Sequence, residues 1–378
     1  MKVAIDDKIP FIQGMLEPYA EVVYLPWSEF TPQTLEDIDA LVVRTRVRCN
    51  ANLLEGTAVR FIASATIGYD HIDTAYCDTK GITWTNAAGC NSSSVEQYVL
   101  AALLELSGRL DFKLSERTIG IVGVGNVGSK VARVATLLGM NVLLCDPPRA
   151  KKGSLSNVLI LEELAAKSDI VTVHVSLSRE GEYKTYGMFD QRFFNTLKSG
   201  AIFINSSRGE VVNEPSLKDA IRSGKLLASV LDVWCNEPDI DTELMSMISL
   251  ATPHIAGYSV DGKAKGSAMS VQALARYFGI SELYDWAPVG LPLPENTTLY
   301  ADFKNQQFED ILRQLVLATY PVANDDKRLR QSPERFEHQR GSYPLRREYS
   351  SYSVQVENAG EEDVRRLIAL GFNIEQVG

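Results

Sequence analysis

The run Gly123-Val124-Gly125-Asn126-Val127-Gly128 constrains this chain more than any other stretch. By itself G-x-G-x-x-G is a weak signal, but here it follows the apolar segment 119–122. It also opens a segment whose Val127, Val131, Val134 and Leu138 share one face of a helix. Strand, tight turn and helix in that order make a dinucleotide-binding unit. Gly123 permits the turn, Gly125 lets the backbone approach a pyrophosphate, and Gly128 allows close helix–strand packing. The helix N-terminus supplies N–H donors that have no partner within the helix. About 20 residues further on, Asp146 stands at the end of the apolar segment 142–145. A carboxylate there accepts from the adenosine ribose hydroxyls and repels a 2′-phosphate, so NAD is favoured over NADP, with Arg149 close by acting against that preference. The bland alternative is a Gly-rich turn that binds nothing.

Around this unit the chain reads as α/β. Short β-rich runs at 3–5, 22–25, 41–43, 61–63 and 82–85 are separated by segments long enough for crossover helices. Ser93-Ser94-Val95-Glu96 resembles a capping box, and Val95, Val99, Ala102, Leu103 and Leu106 continue at helical spacing, so a long helix joining two lobes is expected. A second series has strands near 119–122, 142–145, 170–173, 201–204 and 228–233, with helices at 161–167 and 216–222. A helix over 262–279 returns to the first lobe. The expected architecture is α/β: two Rossmann-like or flavodoxin-like lobes, one of them an inserted NAD-binding domain, plus a small C-terminal α+β domain. We place the substrate domain at 1–94 and 257–285, the NAD domain at 95–256 and the C-terminal domain at 286–378. Ligands are expected in a cleft, where carboxyl ends of strands face one another. Within the C-terminal part, 288–294 is a Pro-rich linker, 308–317 a helix, 352–356 a strand and 361–370 a helix. Residues 324–349 are crowded with charge and carry no legible chemistry.

Composition excludes several classes of function. The 378 residues include 38 basic and 48 acidic side chains, a net charge of −10 that opposes nonspecific attraction to nucleic acid or an anionic membrane. No apolar run approaches the ~20 residues that cross a bilayer, and the first residues lack a signal-peptide pattern, so a cytoplasmic protein is expected. Five cysteines without a C-x-x-C pair, and four histidines far apart, suggest neither a disulfide framework nor a metal site.

Three polar residues follow predicted strands: Arg208 after 201–204, Glu237 after 228–233, and His254 in Thr252-Pro253-His254-Ile255-Ala256-Gly257. Oxidising a 2-hydroxy acid needs a planar cation to grip the carboxylate, a base for the hydroxyl proton and a nicotinamide to receive hydride. Arg208 and His254 fit the first two roles, and a neighbouring Glu237 carboxylate would favour the imidazolium. Taken singly, each has an ordinary reading as a surface charge, a turn residue or a packed ring. Beside a dinucleotide fingerprint they read together as catalytic.

At these residues the chain resembles the D-isomer-specific 2-hydroxy acid dehydrogenases. The likeness covers nearly all of 1–285 and runs through Ala63-Ser64-Ala65-Thr66-Ile67-Gly68, Asp70-His71-Ile72-Asp73, Gly89-Cys90-Asn91, Cys145-Asp146-Pro147-Pro148-Arg149 and His254-Ile255-Ala256-Gly257-Tyr258-Ser259 with Gly262-Lys263-Ala264. The double proline after Asp146 and the Gly-Tyr-Ser after His254 are similar to one branch, which oxidises a phosphorylated 2-hydroxy acid, 4-phosphoerythronate, in vitamin B6 synthesis. The resemblance implies Arg208, Glu237 and His254 as catalytic residues, and Thr45, Thr66 and Tyr258 at the substrate. It implies Asn126, Val127, Asp146, Val175, Ser206, Ser207, Arg208, Asp232 and Gly257 at NAD, and a homodimer formed through the C-terminal domain. Thr45 stands where relatives commonly carry Ser, Val175 where Thr is common, and Ala88 where Pro usually precedes Gly-Cys-Asn.

Arg44, Arg46 and Arg48 follow the strand at 41–43. On an extended segment these alternate residues would point one way, toward a substrate phosphate or toward solvent, with Arg44 the first candidate. Two alternatives stay open: a dehydrogenase for another acid such as 3-phosphoglycerate, and an NAD-sensing, corepressor-like scaffold.

Overall fold

The computed structural model describes residues 1–376. These form two compact units, the first from residues 1–91 and 259–292, the second from 92–258 together with the chain from 293 onward.

The first unit is a five-stranded parallel sheet of β1 (Lys2–Asp6), β2 (Glu21–Leu25), β3 (Ala40–Val43), β4 (Phe61–Ser64) and β5 (Thr83–Asn86), in the order β2-β1-β3-β4-β5. Successive side chains of a strand point to opposite faces, and both faces here are covered. Leu41 and Val43 join one apolar cluster, whereas Ala40 and Val42 join another with Val271 and Leu274 of the helix Val260–Phe278. Two expected crossover helices do not form: β1–β2 is a series of turns, and β2–β3 holds only the 3-10 turn Trp27–Glu29. Pro10, Gly14, Pro18, Pro26 and Pro32 explain this, because proline removes a helical N–H and glycine weakens a helix. Ile9, Ile12 and Leu16 are buried all the same.

The second unit contains β6 (Thr118–Val122), β7 (Asn141–Cys145), β8 (Ile170–Val173), β9 (Ala201–Asn205), β10 (Leu226–Leu231) and β11 (Leu250–Ala251). They form a parallel sheet in the order β11-β10-β9-β8-β6-β7, and a parallel bridge from Leu144 to Val158 extends it beyond β7. The strand order reverses at β6, where the crevice of an open α/β sheet lies. The helix Ser92–Leu110 is buried nearly all round, as expected of a helix inside a core.

The same unit holds a smaller parallel sheet of β12 (Thr298–Asp302), β13 (Ser353–Glu357) and β14 (Asn373–Gln376). Its apolar face is continuous with the larger core: Ile311, Leu315, Val354 and Leu367 share a cluster with Ile119, Ile121, Val99 and Leu103. The charged stretch 324–349 is largely helical, with helices Val322–Gln331 and Phe336–Gly341 that bury Val322, Asp325, Leu329 and Phe336.

Candidate active site

The glycine turn after β6 has the geometry its sequence demands. Gly123 lies at φ +86°, and a Cβ there would stand 2.6 Å from the carbonyl oxygen of His174. A Cβ on Gly128 would stand 2.0 Å from the Gly123 carbonyl oxygen, so that glycine lets the helix Gly128–Leu137 start against the turn. A Cβ on Gly125 would meet nothing within 4 Å. No protein atom explains that glycine, which leaves the turn open on the side where a pyrophosphate would approach. Val127 caps the helix and its side chain takes none of the N-terminal donors. Asn126 is exposed beside it.

Asp146 follows β7 and ties the turn to its neighbour. Its Oδ2 accepts from Val124 N–H at 2.8 Å and its Oδ1 from Arg149 N–H at 3.0 Å. The Arg149 guanidinium donates to the Val124 carbonyl and so braces the turn. Val175, after β8, packs over Gly123, its Cγ1 3.0 Å from where a Cβ would be.

After β9 the Asn205 side chain closes the next loop. Its oxygen accepts from Ser207 N–H at 3.0 Å and Ser207 Oγ at 2.8 Å, and its nitrogen donates to the Arg208 carbonyl at 2.8 Å. Ser206 Oγ is buried with no hydrogen-bond partner among the described residues. Buried hydroxyls are rarely left so, and the resemblance puts this one at the cofactor. Arg208 is half-buried and donates through Nη1 to the Ser207 carbonyl at 2.8 Å. Gly209 follows because a Cβ would stand 2.0 Å from the Trp234 carbonyl carbon. The loop after β9 thus lies directly on the loop after β10.

That second loop carries Glu237, whose Oε2 is 2.8 Å from Nδ1 of His254 while its Oε1 accepts from Trp234 N–H at 3.0 Å. Burial pushes the Glu237 carboxyl up, but the His254 charge and hydrogen bond, with Trp234 N–H, outweigh it and hold the carboxyl below its ordinary value. With Nδ1 facing Glu237, Nε2 is left as the nitrogen able to exchange a proton.

Buried Asp232 builds the turn on which His254 sits. Its Oδ1 accepts from Thr252 Oγ1 at 2.6 Å and Ile255 N–H at 2.8 Å, its Oδ2 from Ala256 N–H at 2.8 Å. Its backbone carbonyl accepts from His254 N–H at 2.7 Å. These bonds hold His254 at φ +56°, a conformation uncommon outside glycine. Burial pushes the Asp232 carboxyl up to about 6 against the charge of His254 and these donors. One lone pair remains on Oδ2. Gly257 and Tyr258 continue the turn, and Tyr258 N–H donates to the Ile255 carbonyl at 2.8 Å.

In the other unit, Arg44, Thr45 and Thr66 stand at the carboxyl edge of the five-stranded sheet, following β3 and β4. The expected stripe of three arginines is absent, because Val47 N–H bonds to the Arg44 carbonyl at 3.1 Å and turns the chain. Arg44 Nε lies 3.4 Å from buried Asp6, at the end of the adjacent β1, while Arg46 lies over the Trp27 ring at 5.8 Å and Arg48 is exposed. Thr66 Oγ1 is 2.9 Å from Ser64 Oγ. Sequence reasoning missed Lys263 as a candidate, although it quoted that residue. Burial and then the charge of Arg44 hold the Lys263 ammonium below its ordinary value. Two cations brought this close suit a multiply charged anion.

Among the described residues, no group of three His, Cys, Asp or Glu side chains is placed to hold a metal, and the five cysteines are free. No helix among the described residues is long and apolar enough to cross a membrane.

Known proteins are similar to this chain over nearly its whole length. The family described as "D-isomer specific 2-hydroxyacid dehydrogenase, NAD binding domain" matches residues 96–256, and a domain of unknown function matches 291–371. The erythronate-4-phosphate dehydrogenase of Bacteroides fragilis is 49% identical, over 94% of this chain and 99% of its own length. That of Proteus mirabilis is 39% identical over 99% of each. Among solved structures, D-lactate dehydrogenase of Aquifex aeolicus, complexed with NAD and lactic acid, is similar with a TM-score of 0.60 at 24% identity, over 77% of this chain and all of that one. NAD-bound 3-phosphoglycerate dehydrogenase of Entamoeba histolytica has a TM-score of 0.63 at 22% identity, over 78% and 99%. At such identities these two speak for the fold.

Proposed function

Because the chain belongs to the D-isomer specific 2-hydroxyacid dehydrogenases, and within them to the erythronate-4-phosphate dehydrogenases, we propose that this NAD-dependent dehydrogenase oxidises 4-phospho-D-erythronate at C2. The product is 3-hydroxy-2-oxo-4-phosphooxybutanoate, and the step belongs to vitamin B6 synthesis. The observation that carries the mechanism is the 2.8 Å contact of His254 Nδ1 with Glu237 Oε2.

When bound, NAD would supply the hydride acceptor for C2. Gly123, Gly125, Asn126, Val127 and Gly128 would hold its pyrophosphate, Asp146 its adenosine ribose, and Ser206, Ser207, Asp232 and Gly257 its nicotinamide end, with Val175 in packing contact. Arg208 grips the substrate carboxylate with paired N–H donors. His254, neutral and oriented by Glu237, takes the proton of the C2 hydroxyl as the carbonyl forms, and returns it in the reverse direction. The imidazolium formed is stabilised by the Glu237 carboxylate at its other nitrogen. Residues Arg44, Lys263, Thr45 and Thr66 serve the phosphorylated end, and Tyr258 the substrate chain. The resemblance also supports a cytoplasmic homodimer assembled through 286–378, which sedimentation of the full chain would check.

Initial rates of NAD reduction on 4-phosphoerythronate, 3-phosphoglycerate and D-lactate test the substrate. A clear preference for 4-phosphoerythronate is expected, and equal rates on the first two would end the assignment. His254→Ala should abolish turnover yet still bind NAD, and parental turnover in that variant would defeat the acid–base role.

A further inference from the structure

The charged stretch 324–349 grips the loop that carries His254. Arg346, buried, donates through Nη1 to the Ala256 carbonyl at 3.1 Å and through Nη2 to the Ser94 carbonyl, with the Tyr320 ring 3.7 Å from its guanidinium carbon. Tyr343 sets its ring edge-on to that of Tyr258, centroids 5.8 Å apart, while its hydroxyl donates to Asp325 at 2.7 Å. Arg340, from the helix Phe336–Gly341, has its guanidinium carbon 5.9 Å from the centre of the Tyr258 ring, and Nη1 pairs with Glu337 at 2.7 Å. Its Nε is buried with no hydrogen-bond partner among the described residues.

From that position the Arg340 charge acts on Glu237. After burial, which works the other way, and after His254 and Trp234, it is a further cause keeping the Glu237 carboxyl low. Reciprocally, the charges of Tyr258, Glu337 and Glu237 outweigh the burial of Arg340 and keep it protonated. His254 interacts with Glu237 and Asp232, Glu237 with His254, Arg340 and the Cys235 thiol, and Arg340 with Tyr258, Glu337 and Glu237, while Glu214 and Glu210 act on Cys235 and Tyr98 senses Asp232.

We infer that Arg340 is a positioning residue for the dehydrogenation: fixed by Glu337 and the Tyr258 ring, with its buried Nε left without a partner among the described residues, its guanidinium serves the Glu237–His254 pair as a fixed neighbouring cation. The segment 291–371, matched by the domain of unknown function, thereby completes the active site. This inference rests on the reading of His254 as the acid–base group. Oxidation needs the pair without its extra proton, and a nearby cation opposes adding one. Removing the cation lets the pair retain the proton to higher pH. Removing the carboxylate that partly neutralises it does the reverse.

The test is kcat/KM for 4-phosphoerythronate oxidation in the full-length protein, from about pH 6 to about pH 10. Arg340→Met should move the acid limb up by about half a unit or more, and Arg340→Lys should restore it. Glu337→Gln, at a half-exposed side chain, should move the limb down. NAD affinity should stay at the parental value in all three. A uniform rate loss in Arg340→Met with the limb unmoved would show a brace only and overturn the inference. Should that variant not fold, an unmoved limb in Glu337→Gln overturns it equally. If His254→Ala keeps parental turnover, the acid–base reading itself falls. If His254→Ala is inactive and the Arg340→Met profile is unshifted, only the role of Arg340 falls.

Discussion

Asp232 and Ala256 are joined by a 2.8 Å hydrogen bond from backbone N–H to carboxylate Oδ2, while Oδ1 takes the N–H of Ile255 next door. One buried carboxylate therefore fixes the backbone just beyond His254 and holds that residue in the left-handed region. Orientation of the imidazole is in this sense built by Asp232 before Glu237 touches it.

Replacing Asp232 by Asn turns an acceptor into a donor facing Ala256 N–H. The variant should lose about 2 kcal/mol at pH 7, the order of leaving one buried donor unpaired. The loss should depend on pH with a definite sign. The folded-state carboxyl is raised to about 6 from an ordinary 3.8, so between those values the native protein binds a proton that the unfolded chain does not. Parental stability from this group rises as pH falls through that window, and the Asn variant cannot follow. Urea unfolding of both proteins at pH 7.5 and pH 5 measures the gap, which should widen at the lower pH. A narrowing gap contradicts the placement of the charge.

Glu237→Gln keeps the shape of the pair and removes its charge. The amide can still meet Nδ1, but it neither stabilises the imidazolium nor enforces the tautomer with Nε2 free. We expect kcat for oxidation to fall about 100-fold or more, with NAD affinity unchanged within about twofold. Steady-state kinetics beside a fluorescence titration of NADH separate the two. Parental kcat would remove Glu237 from the mechanism.

The glycine turn separates binding from packing. Gly125→Ala adds a Cβ that meets no atom of the described residues within 4 Å, so it should fold with parental thermal stability while weakening NAD binding at least tenfold. Gly128→Ala collides with the Gly123 carbonyl oxygen at 2.0 Å and should lower stability by about 1–3 kcal/mol before it is a binding variant at all. Calorimetric unfolding and NAD titration of the two variants should give opposite patterns. Equal loss of stability in both would mean that Gly125 is as packed as Gly128.

Most of the candidate site is legible in the sequence because each of its parts is local. The glycine turn, Asp146, Arg208, Glu237 and His254 all lie within a few residues of a strand end, and strand ends show in the apolar pattern. What did not show depends on distant partners. Asp232 sits at a strand end too, yet its work on Ile255 and Ala256 spans 23 and 24 positions. The helix Val322–Gln331 has only Val322, Asp325 and Leu329 buried, too few apolar residues for a visible period. Its buried side is set by surfaces such as β11, to whose Ala251 N–H Asp326 offers an acceptor at 2.7 Å. Arg340 and Arg346 lie in the charged stretch 324–349, whose chemistry is not legible for the same reason. The arginine stripe failed in the opposite way, since assuming an extended chain beyond Val43 overlooked the turn closed by Val47.

The cation pair in the first unit makes the last prediction. Arg44 is partnered by Asp6, itself almost fully buried, so removing Arg44 outright would leave a buried carboxylate unpaired and confuse stability with binding. Arg44→Lys keeps a charge near Asp6 while giving up the planar fork that grips phosphate in two places. Lys263→Met removes the second cation without touching Asp6. Each should raise KM for 4-phosphoerythronate about tenfold or more while leaving kcat within about threefold, because the phosphate lies away from the carbon that loses hydride. Oxidation of unphosphorylated D-erythronate, measured alongside, should change little in either variant. Equal damage to both substrates would show that these two cations support the fold or the carboxylate end, and the phosphate would then have to be sought at other residues.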